Sequence, residues 1–375
     1  MPTLTFLNTC HFDHGAIGLL QKSLDRLGIK RPLIATDKGI AAAGILDTVK
    51  DAMSDGASAA VYDDTPGNPT EAAVMTALKL YQSEGCDGVI ALGGGSAMDL
   101  GKTVALLAVS GGPLAQFDPM TGGNKLVKGL APVIAIPTTS GTGSEVSLGM
   151  VIVLDDGRKM TFGNPKFIPP VAICDPDLTL GLPPVLTAAT GMDAITHCIE
   201  AVLVPTVNPP AEGIGLDGLW RGWQALPRAV RHGDDKQARW DMMMASAEGA
   251  HAFTKGLGSV HAMSHAIGRR EDLKLHHGTL NAVILPAVLR FNAPHCEAKY
   301  ERLRTAMGLE PHADLAEAVE KMNEYIGMPS GLKAMGVTED MIDDFVPHAL
   351  ADLAHRTNPV EPTAEDYKAL FKAAM

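Results

Sequence analysis

Six short apolar runs, at residues 33–36, 59–62, 88–92, 133–136, 151–154 and 171–174, lie in the first half of this 375-residue chain. The stretches between the first four are long enough for helices, residues 70–83 being one example. Strands separated by helical segments indicate βαβ units and a largely parallel sheet. A run as continuously apolar as Val133-Ile134-Ala135-Ile136 suits a sheet covered on both faces. Beyond Leu182 the texture changes. Pro183-Pro184 interrupts the chain, and segments rich in Ala, Leu, Met and Glu follow, such as 239–254 and 314–326. The expected organisation is an α/β domain over 1–182 and an all-helical domain over 183–375.

A chain of this length buries a large core and needs neither disulfides nor a metal to fold. Lys and Arg total 31 against 43 for Asp and Glu, a net charge of −12. That balance argues against nucleic acid and anionic membranes as partners. The longest apolar runs, such as 104–109, fall far short of a membrane span. The five cysteines, Cys10, Cys86, Cys174, Cys198 and Cys296, are scattered and odd in number. They read as reduced thiols in a cytoplasmic protein. The start, Met1-Pro2-Thr3-Leu4, has no basic stretch leading into an apolar one, so no signal peptide is expected.

Two loops carry the signs of nucleotide binding. Gly93-Gly94-Gly95-Ser96-Ala97-Met98-Asp99 directly follows the run 88–92 and opens a helical stretch. Glycines let a backbone approach a pyrophosphate, and the helix N-terminus adds favourable partial charge. Ser96 and Asp99 have the spacing of a capping box, with Ser96 as the expected N-cap. The second loop, Pro137-Thr138-Thr139-Ser140-Gly141-Thr142-Gly143-Ser144-Glu145, follows the run 133–136. Its hydroxyls can bond phosphate or ribose oxygens without adding charge. Asp37 ends the run 33–36. A carboxylate there can bond an adenosine ribose and would repel a 2′-phosphate, which favours NAD over NADP.

The second half carries a different constellation. Asp193 and His197 are four residues apart in a helical segment, as are His261 and His265, so each pair shares a face. His276-His277-Gly278 precedes another helical stretch. A carboxylate and several imidazoles in apolar helices suit Fe²⁺ or Zn²⁺, not Ca²⁺ or Mg²⁺. The histidines outside this set, His348 among them, read as ordinary core or surface residues.

Taken in order, these motifs resemble the iron-containing, or group III, alcohol dehydrogenase family. The motifs are Gly93-Gly94-Gly95-Ser96-x-x-Asp99-x-x-Lys102, Pro137-Thr138-Thr139-x-Gly141-Thr142-Gly143-Ser144-Glu145, Gly191-x-Asp193-Ala194-x-x-His197-x-x-Glu200, and His261-Ala262-Met263-x-His265 followed by His277-Gly278. The resemblance implies a Rossmann-like N-terminal nucleotide-binding domain and an all-α C-terminal domain, the fold shared with dehydroquinate synthase. It implies that Asp193, His197, His261 and His277 bind the metal, with His265 beside the substrate as a catalytic proton handler. It implies that Asp37, Asn68, Gly94, Gly95, Ser96, Thr138, Thr139, Thr142 and Lys159 line the NAD site. Asn68 stands in an Asn-Pro-Thr turn and Lys159 on a hairpin-like segment.

The implied reaction is hydride transfer between a small alcohol or aldehyde and nicotinamide, with Fe²⁺ or Zn²⁺ as Lewis acid, in a homodimer or larger assembly. Arg269 and Arg270 leave two readings open. They can face solvent and pair with Glu271 and Asp272, or they can pair with a carboxylate or another anion of the substrate. The second reading points to an acid semialdehyde such as the succinic semialdehyde/4-hydroxybutyrate couple. A non-redox cyclase of the dehydroquinate synthase type would need more cations around the metal. A nucleotide-binding regulator without turnover would have no use for the metal constellation.

Overall fold

The structure, a computed structural model, describes residues 8–375 apart from the side chains of Ala57 and Glu271. Met1-Pro2-Thr3-Leu4, where no signal peptide is expected, lies outside the described residues. Two compact units emerge: residues 8–139 with 143–181, and residues 140–142 with 182–375.

The first unit is built on a six-stranded parallel sheet. Its strands are β1 (Thr9–Phe12), β2 (Pro32–Ala35), β3 (Ala60–Tyr62), β4 (Gly88–Gly93), β5 (Val133–Pro137) and, after a separate hairpin of β6 (Gly149–Val153) and β7 (Lys159–Gly163), β8 (Val171–Cys174). The spatial order is β1-β8-β5-β4-β2-β3. The central register sets Leu33 against Val89 and Val89 against Val133. Every residue of β2, β4, β5 and β8 is buried, as strands covered on both faces must be. The run 151–154, read from the sequence with the other five, belongs instead to the antiparallel β6–β7 pair. It falls in a two-stranded sheet of its own.

The sheet order has a direct consequence for the nucleotide loops. β5, β4 and β2 are neighbours and run the same way. The segments leaving their carboxyl ends therefore emerge side by side, where open α/β sheets bind ligands. Those segments begin at Thr138, Gly94 and Thr36.

The second unit is helical, with no strand among its described residues. Four helices matter for the site: Pro184–Leu203, Ser259–Gly268, His277–Asn292 and Ile342–Ala351. Pro184 stands at the first position of its helix, where the missing N–H costs nothing. From Thr187 to Leu203 every residue of that helix is buried. A helix apolar all round is a core helix, so the polar side chains it carries inward need partners. Gly278 lets the His277–Asn292 helix press against it. A Cβ there would sit 2.1 Å from the Ala189 carbonyl oxygen. Among the described residues no helix is long and apolar enough to cross a membrane.

Candidate metal centre and nucleotide loops

Asp193 and His197 lie one turn apart on the buried Pro184–Leu203 helix and face the same way. Asp193 Oδ1 lies 3.8 Å from His197 Nε2, 3.8 Å from His261 Nε2 and 3.6 Å from His277 Nε2. Ligand atoms of Asp193, His197 and His261 all fall within 4.8 Å of one another. The amide nitrogen of Asn281 marks a point shared by Asp193, His261 and His277. It is 2.7 Å from Asp193 Oδ1, 3.2 Å from His261 Nε2 and 3.1 Å from His277 Nε2. Bonds of ~2.1 Å in a tetrahedral shell put neighbouring donors ~3.4 Å apart. Asp193, His197 and His261 at these spacings suit a divalent transition metal; His277 approaches Asp193 but lies outside this mutual group and would have to close in to serve as a fourth ligand.

The protonation of the cluster agrees with that fit. Burial pushes the Asp193 carboxyl up, but His197, His277 and His261 around it outweigh burial and hold it well below the usual carboxylate range. Asp193 therefore stays anionic. Burial lowers His197 to about 4, so its imidazole is neutral near pH 7. Burial also works against a charge on His261, yet the flanking carboxylates of Asp193 and Glu200 push it up to about 9. A cation at the shared point would displace that proton.

Three residues around the cluster were not singled out from the sequence. Glu200, one turn beyond His197, places Oε2 2.6 Å from His261 Nδ1 and accepts the Val260 amide on Oε1 at 2.8 Å. Its signal was present in the spacing Asp193-x-x-x-His197-x-x-Glu200. Asn281, one turn beyond His277, had a similar local signal. Asp352, whose Oδ2 lies 2.9 Å from His265 Nδ1, is far away in the chain and had none. With Nδ1 engaged, the His265 ring stacks on His277 at 5.2 Å and meets His261 edge-on at 5.8 Å.

In the α/β unit the glycine loop has the expected place but not the expected cap. The helix begins at Gly95, and Gly94 is its N-cap, with no side-chain hydrogen bond there. Ser96 sits inside the first turn and donates to the Gly67 carbonyl at 2.6 Å. Asp99 is buried, accepting from Ser144 Oγ at 2.6 Å and the Val151 amide at 2.8 Å. The capping-box expectation is thus corrected. Asp99 is claimed by distant partners, and buried Lys102 completes the tie by donating to the Ser144 carbonyl at 3.1 Å. The first-turn amides keep their orientation toward any anion at the helix N-terminus. Gly93 adopts φ 141°, a conformation open to glycine and rare for other residues.

Asp37, Asn68, Thr138, Thr139 and Lys159 belong to the same unit as this loop, whereas Thr142 is grouped with the helical unit. Asp37 Oδ1 caps the next helix, accepting from Gly39 and Ile40 amides at 2.8 and 3.0 Å. Its Oδ2 lies 3.5 Å from where a Cβ on Gly93 would stand. Asn68 Oδ1 accepts from Lys159 Nζ at 3.0 Å across 91 residues of sequence. Thr139 Oγ1 lies 3.4 Å from a would-be Cβ on Gly94. Thr138 is buried, and its hydroxyl has no hydrogen-bond partner among the described residues. Thr142 follows on the same loop and is half-buried.

Comparison with known proteins decides the family. Residues 8–176 match the model of iron-containing alcohol dehydrogenases, and residues 187–375 match the C-terminal domain of the Fe-containing alcohol dehydrogenase family. The chain belongs to the iron-containing alcohol dehydrogenase family. A 4-hydroxybutyrate dehydrogenase of Cupriavidus necator is 52% identical, with 100% of each chain covered. The crystal structure of a 1,3-propanediol oxidoreductase superposes with TM-score 0.93 at 31% identity, covering 100% of both chains. A sulfoacetaldehyde reductase from Bifidobacterium kashiwanohense in complex with NAD⁺ gives TM-score 0.89 at 28% identity, covering 100% of this chain and 98% of that one. As a member of this family, the chain is an oxidoreductase acting on CH–OH groups, and the family implies a bound metal and NAD. That assignment sets aside the cyclase and regulator alternatives.

Proposed function

We propose that this protein interconverts a short ω-hydroxy acid and its semialdehyde, of the 4-hydroxybutyrate type, using NAD(H) and a divalent metal held by Asp193, His197, His261 and His277. The observation that carries the reading is the approach of three imidazole nitrogens to one carboxylate oxygen within 3.6–3.8 Å. When bound, the metal would polarise the alcohol or carbonyl oxygen as a Lewis acid and the nicotinamide would exchange the hydride. The donor set suits Fe²⁺, the metal of the family's name, and accepts Zn²⁺. The choice of acid substrate draws on the Cupriavidus necator relative, 52% identical over its full length.

The chain's own residues would bind, orient and move protons. Glu200 fixes the His261 ring through Nδ1 and leaves Nε2 turned to the shared point. His265, oriented by Asp352, would accept or return the hydroxyl proton. The amides of Gly94, Gly95 and Ser96, with Thr138, Thr139 and Thr142, would hold the pyrophosphate and ribose of the cofactor. Lys159 and Asn68 would border the same groups, and Asp37 would favour NAD over NADP. The five cysteines carry no disulfide, which suits a reducing compartment such as the cytoplasm.

His261→Ala tests the reading. The variant should lose bound metal and NADH formation from 4-hydroxybutyrate while NAD⁺ still titrates its binding signal. Full turnover by metal-stripped wild-type protein would overturn it.

A further inference from the structure

His261, His265 and Arg269 follow one another at intervals of four residues, so one face of the Ser259–Gly268 helix and its C-terminal cap carries all three. At ~1.5 Å per residue, Arg269 stands about 12 Å along the axis from His261, with His265 midway. His265 is the residue whose ring packs on His277 and His261. The face that borders the metal cluster thus continues, one turn further on, to a guanidinium.

The two adjacent arginines differ in what they do. Arg270 forms a bidentate pair with Asp272, at 2.8 and 2.7 Å. Arg269 is half-buried, and its guanidinium makes no ion pair or hydrogen bond among the described residues. The Glu271 side chain, one expected partner, lies outside the described residues. Carboxylates on the facing helix do not neutralise Arg269 either. Asp352 is engaged by His265, and Asp344 forms no ion pair with it. His348, between them on the Ile342–Ala351 helix, lies close enough to be affected. Burial first, and then the Arg269 charge, lower its pKa. Among the described residues Arg269 has an imidazole within reach and no ion-pair partner, although the Asp344 carboxylate also acts on that imidazole. Arg269 is also half-buried, where a charge-assisted bidentate contact is stronger than in open water.

We propose that Arg269 is the specificity-determining residue of the substrate site. It would bind the terminal carboxylate of an ω-hydroxy acid whose carbinol end lies at the metal cluster, and Arg270 would take no part. The inference rests on the function proposed above. It adds a spacing requirement: the anion and the reacting carbon must be separated by several bonds, because a turn of helix bearing His265 lies between their binding groups. A linear hydroxy acid of about four carbons meets this requirement, and a 2-hydroxy acid does not. Sequence reading left Arg269 and Arg270 equivalent; Asp272 makes them different by occupying one.

The test compares kcat/KM for NAD⁺-linked oxidation of 4-hydroxybutyrate with that of butan-1-ol, which has the same carbon count and no charge. Arg269→Gln should lower the ratio of the two about 10- to 100-fold, the range of a lost hydrogen-bonded charge contact. The loss should fall mainly on KM for the acid. Arg269→Lys, which keeps the charge without the fork, should recover part of the ratio, and Arg270→Gln should keep the wild-type ratio. An unchanged ratio in Arg269→Gln, or an equal fall in Arg270→Gln, overturns the assignment of Arg269 and leaves the proposed function standing. Absence of NADH formation by the metal-loaded wild type from both substrates overturns the proposed function, and Arg269's role falls with it. If Arg269→Gln fails to fold or to hold metal, Arg269→Lys decides: a selective rise in KM for the acid supports the proposal, and an unchanged ratio overturns it.

Discussion

Glu200 Oε2 lies 2.6 Å from His261 Nδ1, and both groups are buried. The same carboxylate accepts the Val260 amide, the residue immediately before His261. One side chain thus fixes both the start of the Ser259–Gly268 helix and the rotation of an imidazole on it. A carboxylate on the far nitrogen of a histidine sets the tautomer and raises the basicity of the near one.

Glu200→Gln should therefore weaken metal binding on the order of 10- to 100-fold while the four expected ligands remain intact. Competition between the protein and a coloured chelator for zinc measures this directly. A variant that holds zinc as tightly as wild type would reduce Glu200 to a structural partner of Val260.

How much of this was legible in the sequence depends on how local each signal is. Runs such as 88–92 and 133–136 announced buried strands because both faces are apolar, and the stretch 70–83 was long enough for the helix Glu71–Ser83, which Thr70 caps. β1, Thr-Cys-His-Phe, gave no such signal. It is an edge strand paired only with β8, and one exposed flank tolerates polar residues. Run 151–154 looked like its neighbours because local hydrophobicity does not encode which sheet a strand joins. In the helical unit, Asp193–His197 and His261–His265 were readable from four-residue spacing. The bond of Asp352 to His265 spans 87 residues, and only the packing of two helices creates it. Ser96 and Asp99 misled in the opposite way. Their spacing was right for a cap, but Ser144 and Val151, distant in sequence, claim the carboxylate.

Asp352 offers a separable test of His265. Its Oδ2 meets His265 Nδ1, while Oδ1 caps the Ala354 amide at 2.8 Å. Burial works to raise the Asp352 carboxyl, but the neighbouring His265 outweighs it and keeps the group below its ordinary range. Asp352→Asn preserves the cap acceptor and removes the charge facing the imidazole. It should lower kcat about 10-fold, at the lower end of what an oriented acid–base partner contributes, with metal content unchanged. Elemental analysis beside steady-state rates distinguishes this from loss of the metal. A wild-type kcat in the fully loaded variant would remove Asp352 from the proton-handling role.

Asp37 separates two functions in its two oxygens. Oδ1 caps a helix and Oδ2 lies toward Gly93. Asp37→Asn retains an oxygen for the cap but removes the charge expected to repel a 2′-phosphate. The preference for NAD⁺ over NADP⁺, measured as a ratio of kcat/KM values, should fall on the order of 10-fold. Asp37→Gly should show the same fall together with only a few tenths of a kcal/mol of lost stability, since glycine is itself tolerated at an N-cap. A cofactor ratio unmoved by either change would take Asp37 out of the nucleotide site.

Glu145 predicts a pH-dependent stability that has nothing to do with turnover. Its side chain is buried in the loop after β5, and Oε2 finds no hydrogen-bond partner among the described residues. Burial, opposed by the charge of Lys102, pushes its carboxyl from 4.5 up to about 7. The folded protein therefore keeps a proton that the unfolded chain releases between those values. Stability from this group is fully present below pH 4.5 and is lost as the pH rises through about 7. At ~1.4 kcal/mol per pH unit the whole loss amounts to about 3 kcal/mol. Glu145→Gln has no such proton to lose. The urea midpoint of the wild type, taken relative to that of Glu145→Gln, should decline across this window and level off above it. Midpoints that stay parallel from acid to neutral pH would mean that the Glu145 carboxyl titrates alike in the folded and unfolded chains.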